Sequence, residues 1–376
     1  MKIAIEAQRI FRGDKHGMDF VILEVLRELQ RLDTANQYYV FVAPGPDRCL
    51  SSTSNMQVVE LPCPTYPLWE QFALPRAVTR MGADLLHCTS NTAPLHCPVP
   101  LVVTLHDIIY LEPRQHRSSS LYQEMGWHYR KLLVPRILKK CRHVITVSRF
   151  EQRRICQTLQ LPPSLVTAVY NGYNTRFRKL QSPDMQVLHR LMPAYEPDKG
   201  YIFFLGNTDP KKNTARVLQA YALYLEQSSV HRPLLIADLQ EDTIDTWLRQ
   251  EHITAIKPYL HFPGYISNTD LPTVYNAAFA FLYPSLRESF GIPLLEAMAC
   301  GTPVITSRTS AMPEVAGKSA LLVDPSQPQD IANILLRLET DEVLQKQQIA
   351  YGLERVKQFS WEETARQYLQ IYESLK

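Results

Sequence analysis

The segment YPSLRESFGIPLLEAMACGTPV, residues 283–304, carries two glutamates eight residues apart, a polar turn and a helical pattern. We expect the helix to start near Pro293, because proline at the start of a helix has no N–H to leave unpaired. The turn of Ser289, Phe290 and Gly291 then lies at the positive end of that helix, where backbone amides favour an anion. Gly291 lets a ligand approach the backbone closely. The segment therefore predicts an anion-binding site.

The two glutamates of this segment are Glu288, on the predicted turn, and Glu296, in the predicted first helical turn. A carboxylate accepts two hydrogen bonds side by side and so suits the paired hydroxyls of a ribose or a hexose. Taken alone, Glu296 is better explained as an ordinary glutamate in a first helical turn, where a negative charge is favoured. Taken with the whole segment, both glutamates are predicted to contact a ligand.

Short apolar runs alternate with amphipathic stretches such as 18–32 along the whole chain. The first half contains KIAIEA (2–7), YYVFVA (38–43), VVEL (58–61), DLLHC (84–88), LVVTLHD (101–107) and VITVS (144–148). The second half contains YIFFLG (201–206), PLLIAD (233–238), HFPGYI (261–266), AFAFLYP (278–284), PVITS (303–307) and ALLVD (320–324). This alternation is typical of buried parallel strands joined by helices. We expect an α/β chain with two Rossmann-like domains that bind ligands at the carboxyl ends of their strands.

Composition narrows the possible functions. The chain has 376 residues, enough for two domains, and a net charge of +3 that by itself indicates no nucleic-acid partner. Its seven cysteines form no CxxC pair, which favours reduced cytoplasmic thiols over a zinc site. No signal-peptide pattern and no apolar run long enough to span a bilayer is present. The GxGxxG and GxxxxGK[ST] fingerprints are absent, which disfavours a dinucleotide oxidoreductase or a nucleotide-hydrolysing motor.

The segment 283–304 resembles the signature of family 4 glycosyltransferases, which are retaining enzymes, and MPEVAG (312–317) and LLVDP (321–325) extend the match. The resemblance implies a GT-B fold, two facing Rossmann-like domains with a cleft between them. The implied parts are an acceptor-side domain (1–180), a nucleotide-sugar domain (181–358) and a C-terminal helix that crosses back to the first domain (359–376).

The resemblance also implies roles for residues of the second domain. Glu288 would contact the donor sugar near its reacting carbon, and Glu296 would bind the ribose. The segment 205–221, LGNTDPKKNTARVLQAY, looks like the family's PRKN loop, in which Lys212 would bind the donor phosphates. Lys211 and Asn207 both stand where many members have an arginine. Lysine cannot make arginine's bidentate fork.

The strand LVVTLHDII (101–109) ends in His106 and Asp107. From the residues alone, a ligand-facing histidine and a structural histidine paired with Asp107 are equally good interpretations. The resemblance implies that His106 contacts the donor sugar and that Asp107 orients His106 or binds the acceptor. It further implies that the backbone near Gly17 approaches the diphosphate, and that the turn 264–267, through Tyr265 and Ile266, holds the nucleobase.

The segment 112–154 is strongly basic, with 11 cations against 3 acids. Its cations are Arg114, Arg117, Arg130, Lys131, Arg136, Lys139, Lys140, Arg142, Arg149, Arg153 and Arg154. Trp127, Tyr129, Leu132, Leu133, Ile137 and Leu138 are interleaved with them. A basic amphipathic helix is typical of contact with an anionic membrane, and a solvated helix face is an equally good interpretation. Nucleic acid is a weaker third, because no binding motif accompanies the charge.

The sequence therefore predicts a retaining glycosyltransferase that moves a hexose from a nucleotide sugar to a lipid- or saccharide-linked acceptor. GDP-mannose or a UDP-sugar is the expected donor, mannose being suggested by a resemblance to the mannosyltransferase-B-like branch. No metal is expected, and the expected location is the cytoplasm, with peripheral binding at the inner membrane face if the basic segment contacts lipid. The alternatives are a non-catalytic nucleotide-sugar-binding scaffold and a nucleotide-sugar epimerase of the same architecture.

Overall fold

The computed structural model of the chain describes residues 1–15, 17–112, 121–318 and 320–376. The backbone divides into two units, Met1–Gly172 with Ser360–Lys376, and Tyr173–Phe359. The predicted boundary after residue 180 lies eight residues beyond the observed one, and the predicted boundary after residue 358 lies one residue before the observed one. The acceptor and nucleotide-sugar roles of the segments stay predictions.

The first unit contains a seven-stranded parallel sheet in the order β3-β2-β1-β4-β5-β6-β7. Its strands are β1 (Lys2–Glu6), β2 (Gln37–Val42), β3 (Met56–Glu60), β4 (Leu85–Cys88), β5 (Leu101–Thr104), β6 (His143–Thr146) and β7 (Val166–Ala168). Six of them were predicted and are confirmed. The edge strand β7 was missed, because three residues of the sequence VTA make no apolar run.

The second unit contains a six-stranded parallel sheet in the order β10-β9-β8-β11-β12-β13. Its strands are β8 (Tyr201–Leu205), β9 (Leu234–Ala237), β10 (Leu260–Gly264), β11 (Ala278–Tyr283), β12 (Val304–Ser307) and β13 (Leu321–Val323). All six were predicted from their apolar runs and are confirmed. Their side chains are largely buried on both faces, as in other parallel sheets that are covered by helices.

Helices connect the strands in both units. The first unit has α1 (Gly17–Leu32), α2 (Tyr66–Leu68), α3 (Leu74–Met81), α4 (Leu121–Leu138) and α5 (Arg149–Leu159), with a π-helical turn at Trp69–Ala73. The second has α6 (Met185–Leu191), α7 (Thr214–Gln227), α8 (Glu241–Gln250), α9 (Leu271–Ala277), α10 (Ile292–Ala299), α11 (Met312–Ala316), α12 (Pro328–Thr340) and α13 (Glu342–Arg355). The C-terminal α14 (Trp361–Glu373) belongs to the first unit. Short 3-10 turns lie at Ile109–Leu111, Pro163–Leu165, Pro210–Lys212, Thr254–Tyr259 and Val356–Gln358.

Apolar spacing explains how α1 packs. Ile22, Val25, Leu26 and Leu29 recur at helical spacing and are buried, and α1 packs against α14. Each such side chain stabilises the fold by about 1.5–3 kcal/mol relative to an exposed position. The predicted helix 18–32 is thereby confirmed.

The helix α14 is tied to the first sheet by buried polar groups. His87 on β4 hydrogen-bonds through Nδ1 to the Tyr372 hydroxyl at 2.6 Å and through Nε2 to the Thr104 hydroxyl at 2.7 Å. Ser360 caps the helix, because its hydroxyl accepts from the Glu363 backbone N–H at 3.1 Å. The predicted C-terminal helix is confirmed and ends at Glu373.

Each sheet has one point at which the strand order reverses. In the first unit this point lies between β1 and β4, and in the second between β8 and β11. The loops that follow the two strands of such a pair lead away in opposite directions and leave a crevice at the carboxyl edge. The loop after β8 carries Lys211 and Lys212, and the loop after β11 carries Glu288 and leads into α10, which carries Glu296.

Candidate active site

The turn after β11 is shaped by glycine. Gly291 caps α10 with φ of 96°, in the left-handed region that side chains disfavour. A Cβ atom on it would lie 2.8 Å from Met312 Cε. Pro293 is the second residue of α10, so the predicted helix start is confirmed. Phe290 is buried, and its ring packs edge-on against Phe359 at 6.0 Å. Its side chain therefore helps to anchor the predicted anion turn.

The structure corrects the position of Glu296. This residue is the fifth of α10 and lies in the second turn, so the helix N-terminus does not stabilise its charge as expected. Burial raises the pKa of Glu296 to about 7, although the hydrogen bond from Tyr275 and the charge of Arg176 act in the opposite direction. The Tyr275 hydroxyl is 3.5 Å from Glu296 Oε2. The Glu296 carboxylate is therefore poorly solvated and, among the described residues, receives few hydrogen bonds.

Lys212, Glu288 and Tyr283 form one cluster across the reversal point of the second sheet. Lys212 Nζ donates to Glu288 Oε1 at 2.6 Å and to the Tyr283 hydroxyl at 3.0 Å. The Tyr283 hydroxyl donates to Glu288 Oε1 at 3.0 Å, and the ammonium lies 5.0 Å from the centre of the Tyr283 ring. Burial and the nearby carboxylate raise the pKa of Tyr283, which keeps its hydroxyl protonated. The fold therefore joins two sequence-predicted residues through a third that the sequence reasoning missed.

Asn213 holds the surrounding loops together. Its side-chain amide donates to the carbonyls of Pro284 at 3.0 Å and Pro325 at 2.6 Å. It has φ of 64°, a left-handed conformation that asparagine tolerates better than most residues. The Leu286 backbone N–H donates to the Lys211 carbonyl at 2.7 Å. These bonds fix the loop after β8 beside the loop after β11.

The remaining predicted donor residues of the second unit lie on its loops. Lys211 Nζ is 3.4 Å from a carboxylate oxygen of Asp209. The carbonyl of Asn207 accepts from the Thr214 hydroxyl at 2.7 Å, and its side chain accepts from the Asp209 N–H at 2.8 Å. After β10, which lies two strands from β8, the Tyr265 side chain is 75% exposed.

Ile266 and Ser289 are two further residues that were predicted to bind the donor, and that role stays a prediction. Ile266 is buried, so its side chain belongs to the core. Ser289, on the turn after β11, is partly buried.

In the first unit, His106 is buried and is held in place by two hydrogen bonds. Its backbone N–H donates to Asn91 Oδ1 at 2.6 Å, and its Nε2 donates to the Thr89 carbonyl at 3.0 Å. Burial lowers the pKa of His106, so the ring is neutral. The Asp107 carboxylate accepts from the Ile109 backbone N–H at 3.0 Å. The ring of His106 is thus oriented by the carbonyl of Thr89.

Gly17 is the first residue of α1, and a Cβ atom placed on it would meet nothing within 4 Å. Packing therefore does not require glycine there. Nearby, Arg12 pairs with Asp19 at 2.5 Å.

The basic segment divides into buried and exposed parts. Arg114 and Arg117 lie outside the described residues. On α4, Leu133, Ile137 and Leu138 are buried in the core of the first unit, whereas Leu132 is 57% exposed. The exposed residues of α4 and the turn after it are Met125, His128, Lys131, Leu132, Arg136, Lys139 and Lys140. One face of α4 therefore combines basic and apolar side chains.

No helix in the described part of the chain is long and apolar enough to cross a bilayer. No three histidine, cysteine, aspartate or glutamate side chains cluster there in a way that could hold a metal ion.

Two protein-family models match the chain. Residues 16–177 match the model described as Glycosyltransferase Family 4, and residues 193–355 match the model described as Glycosyl transferases group 1.

Two relatives of the chain are mannosyltransferases of Escherichia coli. The chain is 32% identical over 279 residues to the O-antigen chain mannosyltransferase B of Escherichia coli, and the alignment covers 73% of this chain and 70% of that protein. It is 32% identical over 180 residues to a serotype-specific mannosyltransferase WbdA of Escherichia coli, covering 47% of this chain. That alignment spans only 22% of the longer relative.

Solved structures resemble the chain over its whole length. Sucrose-phosphate synthase from Thermosynechococcus elongatus superposes with a TM-score of 0.73 at 18% identity, covering 100% of this chain and 99% of that one. HepE from Anabaena, in complex with UDP and glucose, gives a TM-score of 0.71 at 18% identity, covering 100% of both chains. At such identities the likeness shows the fold alone. It confirms the predicted fold class, GT-B with two Rossmann-like domains.

Proposed function

The chain belongs to glycosyltransferase family 4, and on that basis we propose that it transfers a hexose, with retention, from a nucleotide sugar to a glycan acceptor. In the transfer, the bond between the anomeric carbon and the diphosphate oxygen breaks, and its electron pair leaves with the diphosphate. A bond forms between that carbon and an acceptor oxygen, and the acceptor hydroxyl releases its proton.

The cluster of Lys212, Glu288 and Tyr283 carries this proposal. Charge develops on the leaving diphosphate, and an ammonium held at a fixed point stabilises it without reorganisation. Lys212 is fixed in this way by a carboxylate and a phenol, at the reversal point where such sheets bind ligands. Since Lys212 supplies the positive charge, the proposed reaction needs no metal.

Glu288 faces Lys212 and is only 14% exposed, so each charge depends on the other in the unliganded chain. A bound diphosphate would compete for the ammonium, and the Glu288 carboxylate would then be available to the donor sugar. Removing either partner leaves an uncompensated, partly buried charge.

We propose GDP-mannose as the donor, because the relatives with the cited alignments are named mannosyltransferases. A UDP-sugar is the second candidate, because HepE was solved with UDP and glucose. In either case the ribose hydroxyls would supply Glu296 with the hydrogen-bond donors that its carboxylate lacks. Gly17 and His106 are proposed to contact the donor from the first unit, and Asp107 to contact the acceptor.

The acceptor is proposed to be a glycan or glycolipid of surface polysaccharide synthesis, reached at the inner face of the cell membrane from the cytoplasm. The support is the exposed face of α4, where Lys131, Arg136, Lys139 and Lys140 surround Leu132. Each basic residue near an anionic surface contributes about 1 kcal/mol. Flotation with anionic liposomes should carry the protein upward at low salt and less so at high salt. Flotation that is absent, or insensitive to salt, would assign this face to solvent.

The decisive experiment screens nucleotide sugars by thermal shift and then analyses products by mass spectrometry. A donor that binds the native state raises its melting temperature. Lys212→Ala and Glu288→Ala should lose transfer at least a hundredfold, whereas Lys257→Ala, at an exposed lysine of the same unit, should keep it. Transfer in EDTA should equal that without it.

Other products would select an alternative function. A bound donor with no product would indicate a scaffold, and an altered donor sugar would indicate an epimerase. Full transfer by both alanine variants would contradict the proposed site.

A further inference from the structure

A second cluster of charged side chains lies at the carboxyl edge of the first sheet. Arg9 follows β1, and its guanidinium lies 5.3 Å from the centre of the Tyr66 ring. Arg130, on α4, lies 6.0 Å from the centre of the Tyr110 ring. The Tyr66 ring also packs edge-on against the ring of Tyr129, the neighbour of Arg130 on α4, with their centres 6.4 Å apart. Burial lowers the pKa of Arg130, the charge of Asp107 raises it, and the charge of Arg9 lowers it.

Neither arginine has a carboxylate within ion-pair distance among the residues that the structure describes. Arginine keeps its charge, so partial burial without a counter-ion costs free energy. A planar guanidinium binds a phosphate or carboxylate with two parallel hydrogen bonds. Two such groups at the carboxyl edge of one sheet therefore suit an anion from outside the chain.

A buried hydroxyl beside Arg130 points to the same conclusion. Tyr110 is only 6% exposed, and its hydroxyl has no hydrogen-bond partner within the described part of the chain. Buried hydroxyls are normally satisfied, so an orphaned one at a crevice indicates a polar partner supplied by a ligand. Asp107, the residue proposed to contact the acceptor, is close enough to act on the pKa of both Tyr110 and Arg130.

The acids around the two arginines have donors of their own. Glu6 accepts from the backbone N–H groups of Gln8 and Thr89, each at 3.0 Å. The Asp107 carboxylate accepts from a backbone N–H. Among the described residues, neither acid forms an ion pair with Arg9 or Arg130, although the charge of Asp107 raises the pKa of Arg130 from a longer distance.

The third acid, Glu70, is fully buried. It accepts from the hydroxyls of Tyr66 at 2.8 Å and Tyr129 at 2.6 Å, and from that of Thr92. Glu70 lies on the π-helical turn, a feature often found at functional sites. Its hydrogen bonds fix the Tyr66 ring that lies against Arg9, so the wall of the crevice is rigid.

We propose that Arg9, Arg130 and the Tyr110 hydroxyl form an anion subsite that binds a phosphate or a carboxylate of the acceptor. This inference rests on the proposed transferase function. A phosphate would come from a lipid-linked or phosphorylated acceptor, and a carboxylate from an acidic sugar. The residue Arg130 is on the inner side of α4, next to Lys131 and Leu132 of its exposed face, so an acceptor headgroup at a membrane surface fits this placement.

The test measures binding of methyl phosphate, glucuronate and neutral methyl glucoside to the full-length protein by saturation-transfer NMR. One or both anions should bind, and Arg9→Gln and Arg130→Gln should each weaken binding at least tenfold, which corresponds to about 1.4 kcal/mol. The exposed Arg80→Gln variant should bind like the wild type. In Lys212→Gln, which removes the proposed donor phosphate ligand, the anion binding that remains should still depend on Arg9 and Arg130. The anion that binds more tightly identifies the acceptor class.

Three results would overturn the inference: unchanged anion binding in both arginine variants, loss of binding only in Lys212→Gln, or equally tight binding of methyl glucoside. Arg130→Lys is the control for misfolding, because lysine keeps the positive charge and this variant should retain part of the anion binding. Thermal shift with nucleotide sugars on the same samples tests the proposed function separately. A wild type without that shift refutes the transferase function, whereas a normal shift with unchanged anion binding in the arginine variants refutes only the subsite.

Discussion

Replacing Glu296 by glutamine should stabilise the unliganded protein above neutral pH. Burial raises the pKa of Glu296 from its ordinary 4.5 to about 7, so the folded state holds this proton more tightly than the unfolded state does. Stability linked to Glu296 is therefore fully present below pH 4.5 and decreases as the pH rises to about 7. Glutamine keeps the shape of the side chain and cannot ionise, so the variant escapes this loss.

The size of the effect follows from the pKa. Each pH unit of displacement corresponds to 1.36 kcal/mol, so the interval from 4.5 to about 7 gives about 3 kcal/mol as an upper bound. For a unit the size of Tyr173–Phe359 this amounts to roughly 6–12 °C in melting temperature. Thermal and urea unfolding of both proteins at pH 4.5 and pH 8 measures it. The variant and the wild type should differ little at pH 4.5, and the variant should be the more stable at pH 8.

A matched control is Glu342→Gln, at a glutamate of α13 whose side chain is 81% exposed, which should change stability by less than about 0.5 kcal/mol at either pH. The stabilised Glu296 variant should bind the nucleotide sugar about tenfold more weakly, because the ribose hydroxyls lose a charged acceptor. If the variant gains nothing over the wild type between pH 4.5 and pH 8, the carboxylate is not desolvated in the unliganded chain and this reasoning is wrong.

Three further outcomes are expected. Tyr283→Phe removes the hydroxyl that bridges the ammonium and the carboxylate, and kcat for sugar transfer should fall about tenfold or more with the melting temperature nearly unchanged; a wild-type kcat would show that the hydroxyl is not needed. Gly291→Ala forces a side chain into a left-handed conformation against Met312 and should cost at least about 1 kcal/mol in urea unfolding, whereas wild-type stability would mean that the turn adapts. Burial lowers the pKa of His87 to about 3, below its unfolded value of 6.5, so its contribution is present above pH 6.5 and is lost as the pH falls towards 3; His87→Gln should flatten this acid limb in circular dichroism, and an unchanged limb would assign it to other groups.

The sequence predicted the strands well because buried parallel strands are continuous apolar runs. Every predicted strand is present, and the one omission, β7, is a three-residue edge strand. The placement of Glu296 in the first helical turn was wrong, since the helix begins at Ile292 and makes Glu296 its fifth residue, in the second turn. An error of this size matters because the favourable field of a helix terminus fades within one turn.

The contacts of the site could not be predicted in the same way. Lys212 and Glu288 are 76 residues apart, and their ion pair depends on β8 lying next to β11 in the sheet. Tyr283 was missed because its position at the end of an apolar run predicts a core side chain. Its ring does pack in the core, and only its hydroxyl reaches the charged pair.

Arg9 and Arg130 were missed for a related reason. Arg130 belongs to a run of cations that share nothing in the sequence except their positive charge. Their spacing could not show that the Arg130 side chain turns inward against Tyr110. Arg9 lies in a short loop with no motif.

Each sheet has one point at which the strand order reverses, and ligands are expected to bind there. A transferase needs a site for each of its two ligands. The second unit offers the ammonium of Lys212, which is already paired with Glu288 and suits a group that is bound and then released. In the first unit, Arg9 and Arg130 have no ion-pair partner among the described residues, and an orphaned hydroxyl lies beside Arg130, which suits a group that stays bound while the reaction proceeds. If both assignments hold, raising the salt concentration should weaken acceptor binding more than donor binding, because two unpaired guanidiniums would attract the acceptor anion, whereas the charge of Lys212 is already balanced by Glu288. Steady-state kinetics at two ionic strengths would then show a larger rise in KM for the acceptor, and an equal rise for both substrates would contradict this difference between the sites.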